Sequence, residues 1–433
     1  MTAAPSMHAA QRVPGLDVLR GLAIVWVMLF HSWVVGGLGP DWSWLSRYGW
    51  MGVDLFFVLS GYLIGLQVLL PLARGGPLPL GDFYLRRALR ILPAYLATLA
   101  LYQLWPDFRE APGLEPWWKF LTFSLNLNID YDHRSAFSHA WSLCVEEHFY
   151  WLFPALALGL RRRFAARAWL WTGAAVVLGG IVLRSGVWWR GMAADPAMTH
   201  NWFVEDLYYP TWNRLDGLLC GVALAAWRAF RPLSWQAARR HAAVSALAGL
   251  GALACAFWLF RDRTGLLGNS VGWPVLSLAC GLLVFAAAQP DSVVGRCRLP
   301  LAGFLAGISY SLYLVHKAAY HLVQLHWGDR LAGTGLLAFA AYGGAALLAG
   351  ALMHRAVEAP FLRLRHRLRP KRPWRNPCTC KRSSTSTCSR CRPTPNRRAT
   401  VWMRRVGGRP SRSRWPCPRW RWCAAAACWS ATR

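Results

Sequence analysis

Charge is scarce along this chain, and acid is scarcer than base. Of 433 residues only 16% are charged, with 19 Asp and Glu against 49 Lys and Arg, while 55% are hydrophobic. Water-soluble domains of ordinary composition carry about a quarter charged residues, so an ordinary soluble globule is excluded. A disulfide framework is also missing. Five cysteines, Cys144, Cys220, Cys255, Cys280 and Cys297, are scattered singly through the apolar part, and the other seven of the 12 crowd into residues 371–433. That tail has 17 Lys and Arg and no acid. Its run "CTCKRSSTSTCSRC" contains a pair separated by one residue and no His, which is poor zinc-site spacing. Disorder is expected there, and no metal is expected anywhere. The tail carries 17 of the formal +30, leaving +13 on residues 1–370, a bias that suits a membrane protein and gives no reason to expect a nucleic-acid partner. Residues 1–20 lack an apolar core, so no cleavable signal peptide is expected. No internal repeat is evident.

What the chain does have is long apolar runs: 21–38, 50–70, 93–105, 141–160, 168–183, 206–227, 242–260, 270–288, 300–325 and 331–353. Most approach the ~20 residues that a helix needs to cross the hydrocarbon core. The expectation is an all-α integral membrane protein of about ten transmembrane helices, with residues 1–370 as the membrane domain and 371–433 as a basic Cys/Arg/Trp/Pro-rich tail. Lys and Arg accumulate in cytoplasmic loops. With the N-terminus inside, 21 basic residues of the first 370 face the cytoplasm and 9 the outside, so both termini are expected in the cytoplasm of a bacterial-type inner membrane.

Ten spans suit a transporter, a channel or an enzyme, and the polar residues inside them must discriminate. In "LDVLRGLAIVWVMLFHSW" Arg20 and His31 are eleven residues apart, roughly 16 Å along a helix. Arg20 reads as a cytoplasmic anchor or a ligand for anions. His31 would lie deep in the bilayer, where an ionisable group commonly marks a pathway or a reacting centre, and an ordinary pKa of about 6.5 suits a general base. Asp54 in "GVDLFFVLSGYLIG" needs a partner, either His31 or an Arg, and Gly61 and Gly65 have the spacing for close helix packing. Arg86, Arg87 and Arg90 read as the cytoplasmic start of the third span, with Arg87 and Arg90 on one face, able to grip phosphates.

"HAWSLCVEEHFYWLFP" concentrates His139, Trp141, Ser142, Glu146, Glu147, His148 and Tyr150 at the outer end of the fourth span. Glu146, Tyr150 and Trp141 share a stripe, and Glu147 is rotated about 100° away. Adjacent carboxylates disfavour joint ionisation unless a cation intervenes. Later runs add "NRLDGLLCG" with Arg214 and Asp216, "GISYSLYLVHK" with Ser309, Tyr310, Tyr313, His316 and Lys317, and "VEAPFLRL" with Glu358 and Pro360. Arg214 and Asp216 read as ion-pair partners of some other helix, and His316 reads either as a site residue or as a histidine bonded to a backbone carbonyl.

The ordered set resembles the acyltransferase-3 family of integral membrane O-acyltransferases acting on surface glycans and lipids. Its Arg-x10-His falls on Arg20 and His31, its second-span signature on "VDLFFVLSGYLI" (53–64), and its Arg-x-x-Arg on Arg87 and Arg90. Its Trp-Ser-Leu-x-x-Glu-x-x-x-Tyr falls on Trp141, Ser142, Leu143, Glu146 and Tyr150, and its late motif on "SYSLYLVH" (309–316). His148 stands where Gln is expected and Lys317 where Trp is common, which bears on acceptor identity.

The resemblance implies a co-substrate, acyl-CoA, most simply acetyl-CoA, held at its phosphates by Arg87, Arg90 and Arg20. His31 would deprotonate an acceptor hydroxyl, with Tyr150 or an Arg stabilising the oxyanion. Glu146 would orient His31, assist proton transfer or shape the acceptor site, and Ser60 and Ser142 are the alternative nucleophiles. Asp54, Trp141, Ser142, Tyr150, Arg214, Asp216, Tyr313 and His316 would support the site. The expected partners are membrane lipid and a polysaccharide, lipopolysaccharide, exopolysaccharide or other glycolipid acceptor. No appended soluble esterase-like domain is expected. The competing reading is a proton-coupled transporter or glycan exporter, which also needs buried His, Asp, Glu and Arg.

Overall fold

The computed structural model describes residues 13–34, 46–160 and 166–368; the tail, with the disorder and the cysteine cluster read there, lies outside them. The described residues form an all-α bundle with ten long helices, at the places where the ten apolar runs stand. They are α1 Pro14–Val34, α2 Gly52–Ala73, α3 Leu80–Leu104, α4 Trp141–Leu160, α5 Ala166–Ala194, α6 Leu215–Phe230, α7 Ala242–Leu259, α8 Trp273–Ala287, α9 Ala302–Leu331 and α10 Leu336–Met353. Among the described residues six segments are long and apolar enough to cross a membrane: Pro14–Ser32, Gly49–Ala73, Trp171–Ala194, Pro232–Leu259, Gly268–Ala287 and Leu336–Arg365. Helices α3, α4 and α9 have the length, at 25, 20 and 30 residues, but their polar residues depress hydropathy. The protein is thus a multi-pass α-helical membrane protein.

Its outer helices present apolar side chains to the surroundings. Leu178 and Val182 on α5, Leu247 and Leu250 on α7, and Leu348 and Leu352 on α10 are all exposed, as lipid-facing residues should be, because hydrocarbon solvates them as well as a protein core does. Helices α2 and α8 are the interior. The α2–α6 contact is set by small residues on both sides: a Cβ on Gly61 would stand 2.1 Å from the Leu218 carbonyl oxygen, and one on Gly221 2.2 Å from that of Val58. The Gly61 and Gly65 spacing thus serves close backbone packing. α1 lies between α2 and α9, an arrangement that brings its polar residues against theirs.

Two boundaries correct the sequence reading. α3 begins at Leu80, well before the apolar run at 93, so Arg87 and Arg90 lie roughly 10 and 15 Å inside the helix. They are helical residues of α3 that face partners inside the bundle, since a charge so placed lowers hydropathy without ending a helix. α5 runs to Ala194, so Arg184, read as an outer-loop charge, is a helical residue only 1% exposed.

Candidate active site

Three histidines from distant parts of the chain meet at one level. The Nδ1 of His31 on α1 faces Nε2 of His316 on α9 at 2.9 Å, and Nδ1 of His316 lies 2.7 Å from the Tyr313 carbonyl. His139, in the turn before α4, has its ring 6.4 Å from that of His31 and 5.2 Å from that of His316. Its Nε2 donates to the Leu314 carbonyl at 3.1 Å. His139 and His316 are buried, at 2% and 0% exposure, whereas His31 keeps part of its surface open. Only the ring of the first helix is therefore accessible to a reactant.

The turn that presents His139 is over-determined. Phe137 adopts a left-handed φ of 57°, a conformation that costs a non-glycine residue about 1–3 kcal/mol. Its ring stacks on Tyr102 at 4.5 Å and on Phe120 at 5.5 Å, and its N–H donates to Glu110 Oε1 at 3.1 Å. Glu110 in turn takes the Lys317 ammonium at 2.8 Å and the Tyr102 hydroxyl at 2.7 Å. Burial alone would raise its carboxyl pKa, but Lys317 and His139, with the hydrogen bonds, hold it at about 2. Lys317 is thereby tied beside the histidines, with its charge answered by Glu110.

A second level collects the basic residues. Arg20 lies within electrostatic reach of Arg90, Asp17, Tyr150 and Glu146. The Arg87 guanidinium stacks over the Tyr150 ring at 3.9 Å and lies within electrostatic reach of buried Glu147. Ser60 donates to Glu146 Oε1 at 2.6 Å, and Tyr150 donates to Glu146 Oε2 at 2.7 Å. Arg20, Ser60, Arg87, Arg90 and Glu146 all remain partly open, while Tyr150 and Glu147 are buried behind them. Glu146 therefore belongs with the arginines. The separation into arginines at one end and glutamates at the other does not hold, because α3 carries its arginines inward to meet α4. Nor does Glu146 orient His31: the hydrogen-bond partner on that ring is His316.

Two buried ion pairs frame the site without joining it. Arg214 binds Asp54 through both carboxylate oxygens, at 2.9 and 3.0 Å, and its guanidinium lies 3.6 Å over Trp273, 4.7 Å over Tyr208 and 5.3 Å over Trp141. Asp54 is thus the partner of Arg214, the second of its two sequence alternatives, and does not reach His31. Asp216 pairs with Arg184 at 2.8 Å, and Arg184 also donates to the carbonyls of Asn213, Asn269 and Ser270. Such pairs tie α2 to α6 and α6 to α5 where unpaired charge would be very costly. Ser142 Oγ and Tyr313 Oη are 2.6 Å apart, and Tyr313 donates to the His139 carbonyl at 2.8 Å. Both are buried, so Ser142 braces the His139 turn and is not exposed for attack.

His139, Lys317, Glu110 and Arg184 carry charge or protons in these networks but were not among the expected site residues. The first two stood in quoted motifs, and their density of polar groups was the available signal. Glu110 sits in a polar connecting segment and Arg184 at the edge of an apolar run, and neither carries a local signal.

The family model described as an acyltransferase domain matches residues 13–355. The O-acetyltransferase OatA of Staphylococcus aureus strain NCTC 8325 / PS 47 is 28% identical over 333 residues, covering 72% of this chain and 51% of that protein, and OatA of strain MRSA252 matches equally. The chain spans about half the length of the curated relatives it matches. No solved structure matches it. With the matched segment running from the first described residue of α1 through α10 and holding every histidine and arginine of the two levels, the chain belongs to the acyltransferase-3 family of acyltransferase domains.

Proposed function

We propose that this protein is a membrane O-acyltransferase that moves a short acyl group, acetyl in the first instance, from cytoplasmic acyl-CoA to a hydroxyl of an exported or surface polysaccharide or glycolipid. The observation that carries the reading is the two-level arrangement along α1. Arg20 sits with Arg87 and Arg90 at one level, and His31 with His316 lies eleven residues further on, roughly 16 Å along the axis. A donor with a polyanionic head, a long thin arm and a reactive terminal carbonyl fits that spacing. The guanidinium groups take phosphate oxygens by charge-assisted hydrogen bonds, and the arm delivers the thioester to His31. The positive-inside bias supports ten spans with both termini cytoplasmic, and on that reading the arginine level faces a cytoplasmic donor across the inner membrane's cytoplasmic side.

In the reaction His31 takes the proton of the acceptor hydroxyl as its oxygen attacks the thioester carbon. The C–S bond then breaks, and the leaving thiolate recovers the proton from the imidazolium. Holding both reactants at one imidazole supplies the orientation on which such a transfer depends. Ser60 is already donating to Glu146 at the arginine level, which supports direct transfer over an acyl-serine intermediate. The names of the relatives support acetyl as the group and oxygen as the acceptor atom.

The test is purified protein in liposomes, with labelled acetyl-CoA on the arginine side and a candidate glycan on the other. Label should pass to the glycan in wild type and not in a His31→Ala variant that inserts normally. Gradient-driven glycan movement without label transfer would overturn the reading in favour of transport.

A further inference from the structure

We infer that His316 is a positioning residue: it fixes which nitrogen of His31 carries hydrogen, and it leaves Nε2 of His31 bare to act as the base. This rests on the acyl-transfer reading above and assigns its proton acceptor to a single atom.

The inference follows from hydrogen accounting along the chain His31, His316, Tyr313. The Tyr313 carbonyl can only accept, so the 2.7 Å contact requires hydrogen on His316 Nδ1. A neutral imidazole carries one N–H, so Nε2 of His316 is bare and must accept across the 2.9 Å contact to His31. His31 then donates from Nδ1, and its own Nε2 has no hydrogen.

The alternative is a doubly protonated His316 that donates to His31. It would place a cation with no exposed surface beside the Lys317 ammonium. The nearest carboxylate, Glu110, is already engaged by Lys317, Tyr102 and the Phe137 N–H. His139 also lies against the pair, with its Nε2–H committed to the Leu314 carbonyl. Among the described residues no group in contact would balance a second cation, so the neutral form is the one these surroundings accept.

When His31 takes the acceptor proton on Nε2, its Nδ1–H is still held by His316, so the ring neither flips nor changes tautomer during the transfer. Orientation of an imidazole base by a second group is worth orders of magnitude in serine hydrolases. Here the orienting group is neutral, so the effect lies more in geometry than in charge.

The experiment uses full-length protein in lipid nanodiscs, with histidine labelled by nitrogen-15. The His31 signals are assigned by their loss in His31→Gln. Wild type should show His31 hydrogen-bearing at Nδ1 and bare at Nε2, and His316→Ala should show a mixture of tautomers. In turnover, His316→Ala should lower kcat about 100-fold or more with the KM for acetyl-CoA within about threefold. His316→Gln, whose side-chain carbonyl can accept in the place of Nε2, should recover at least about tenfold of that loss. A bare Nδ1 on wild-type His31, wild-type kcat in His316→Ala, or equal kcat in the Ala and Gln variants would each overturn the inference. If wild type transfers no acyl label, the acyl-transfer reading fails, yet the spectrum still decides which nitrogen is bare. If His316→Ala does not insert, the wild-type spectrum and the Gln variant decide.

Discussion

Ser60 on α2 gives its hydroxyl hydrogen to Glu146 on α4 across 2.6 Å, and the other oxygen of that carboxylate is taken by Tyr150. A serine so bound helps to hold a carboxylate among arginines, and among the described residues no histidine is hydrogen-bonded to it. Ser60→Ala is therefore expected to raise the KM for acyl-CoA several-fold while lowering kcat by less than about tenfold. Steady-state transfer kinetics check this. An acyl-serine pathway predicts instead that kcat disappears and that wild type shows a burst of covalently held label.

The α2–α6 contact depends on the absence of side chains. A methyl group on Gly61 would stand 2.1 Å from the Leu218 oxygen, one on Gly221 2.2 Å from the Val58 oxygen, and both obstacles are backbone. Gly61→Ala and Gly221→Ala should each destabilise the protein by at least about 1–3 kcal/mol. Gly343→Ala on α10, with open space around it, should be neutral or stabilising by up to about 1 kcal/mol. Thermal unfolding in detergent, followed by loss of monodispersity, separates the two outcomes.

Arg184 and Asp216 form the buried pair that sequence placed least well. Removing either partner leaves an uncompensated charge, so Arg184→Leu and Asp216→Leu should each cost about 3–5 kcal/mol and accumulate poorly in membranes, while the double variant should lose less than the sum. A thermodynamic cycle on the four proteins measures the coupling. Additive losses would mean that the two side chains do not act as a pair.

Glu110 makes stability depend on acid. Its carboxyl titrates at about 2 in place of the usual 4.5, because Lys317 and His139, with the hydrogen bonds, outweigh its burial. A depressed folded-state pKa contributes stability in full above the unfolded value, and the contribution falls away as pH drops from about 4.5 toward 2. Wild type should lose melting temperature over that window, and Glu110→Gln should start lower at pH 6 and lose less. Melting curves between pH 6 and pH 3 test this. Parallel curves for the two proteins would show that the Lys317 contact is not formed.

Much of this architecture can be read from the chain, and the reason is hydrophobicity. Ten apolar runs mark ten helices because each helix satisfies its own backbone groups. Where the reading went astray, a charge pointed inward. Arg87 and Arg90 stand well inside α3 although the apolar run begins at 93, and Arg184 is a buried residue of α5, because hydropathy scores composition and not direction. His31, Arg20 and the SYSLYLVH run were visible as polar groups in apolar surroundings. Their pairings were not: Asp54 had two plausible partners, and only the packing of α6 against α2 selects Arg214. Glu110 shows the limit most plainly, since an acid in a polar connecting segment looks ordinary until Lys317, 207 positions away in sequence, is folded against it.

The two levels of the site should separate kinetically. Arg87 lies over the Tyr150 ring and near Glu147, at the level proposed to hold phosphates. Lys in its place keeps the charge but loses the planar fork and the stacking. Arg87→Lys should therefore raise the KM for acetyl-CoA about tenfold and leave kcat within about threefold, and the increase should shrink for a donor shortened to acyl-pantetheine, which lacks the nucleotide phosphates. His31→Ala should do the reverse, with kcat down by about 100-fold to 10,000-fold and donor binding retained. Equilibrium binding of labelled CoA gives the affinity independently of turnover. If Arg87→Lys weakens pantetheine and CoA donors equally, the arginine level does not read phosphate, and the assignment of donor to one level and chemistry to the other is wrong.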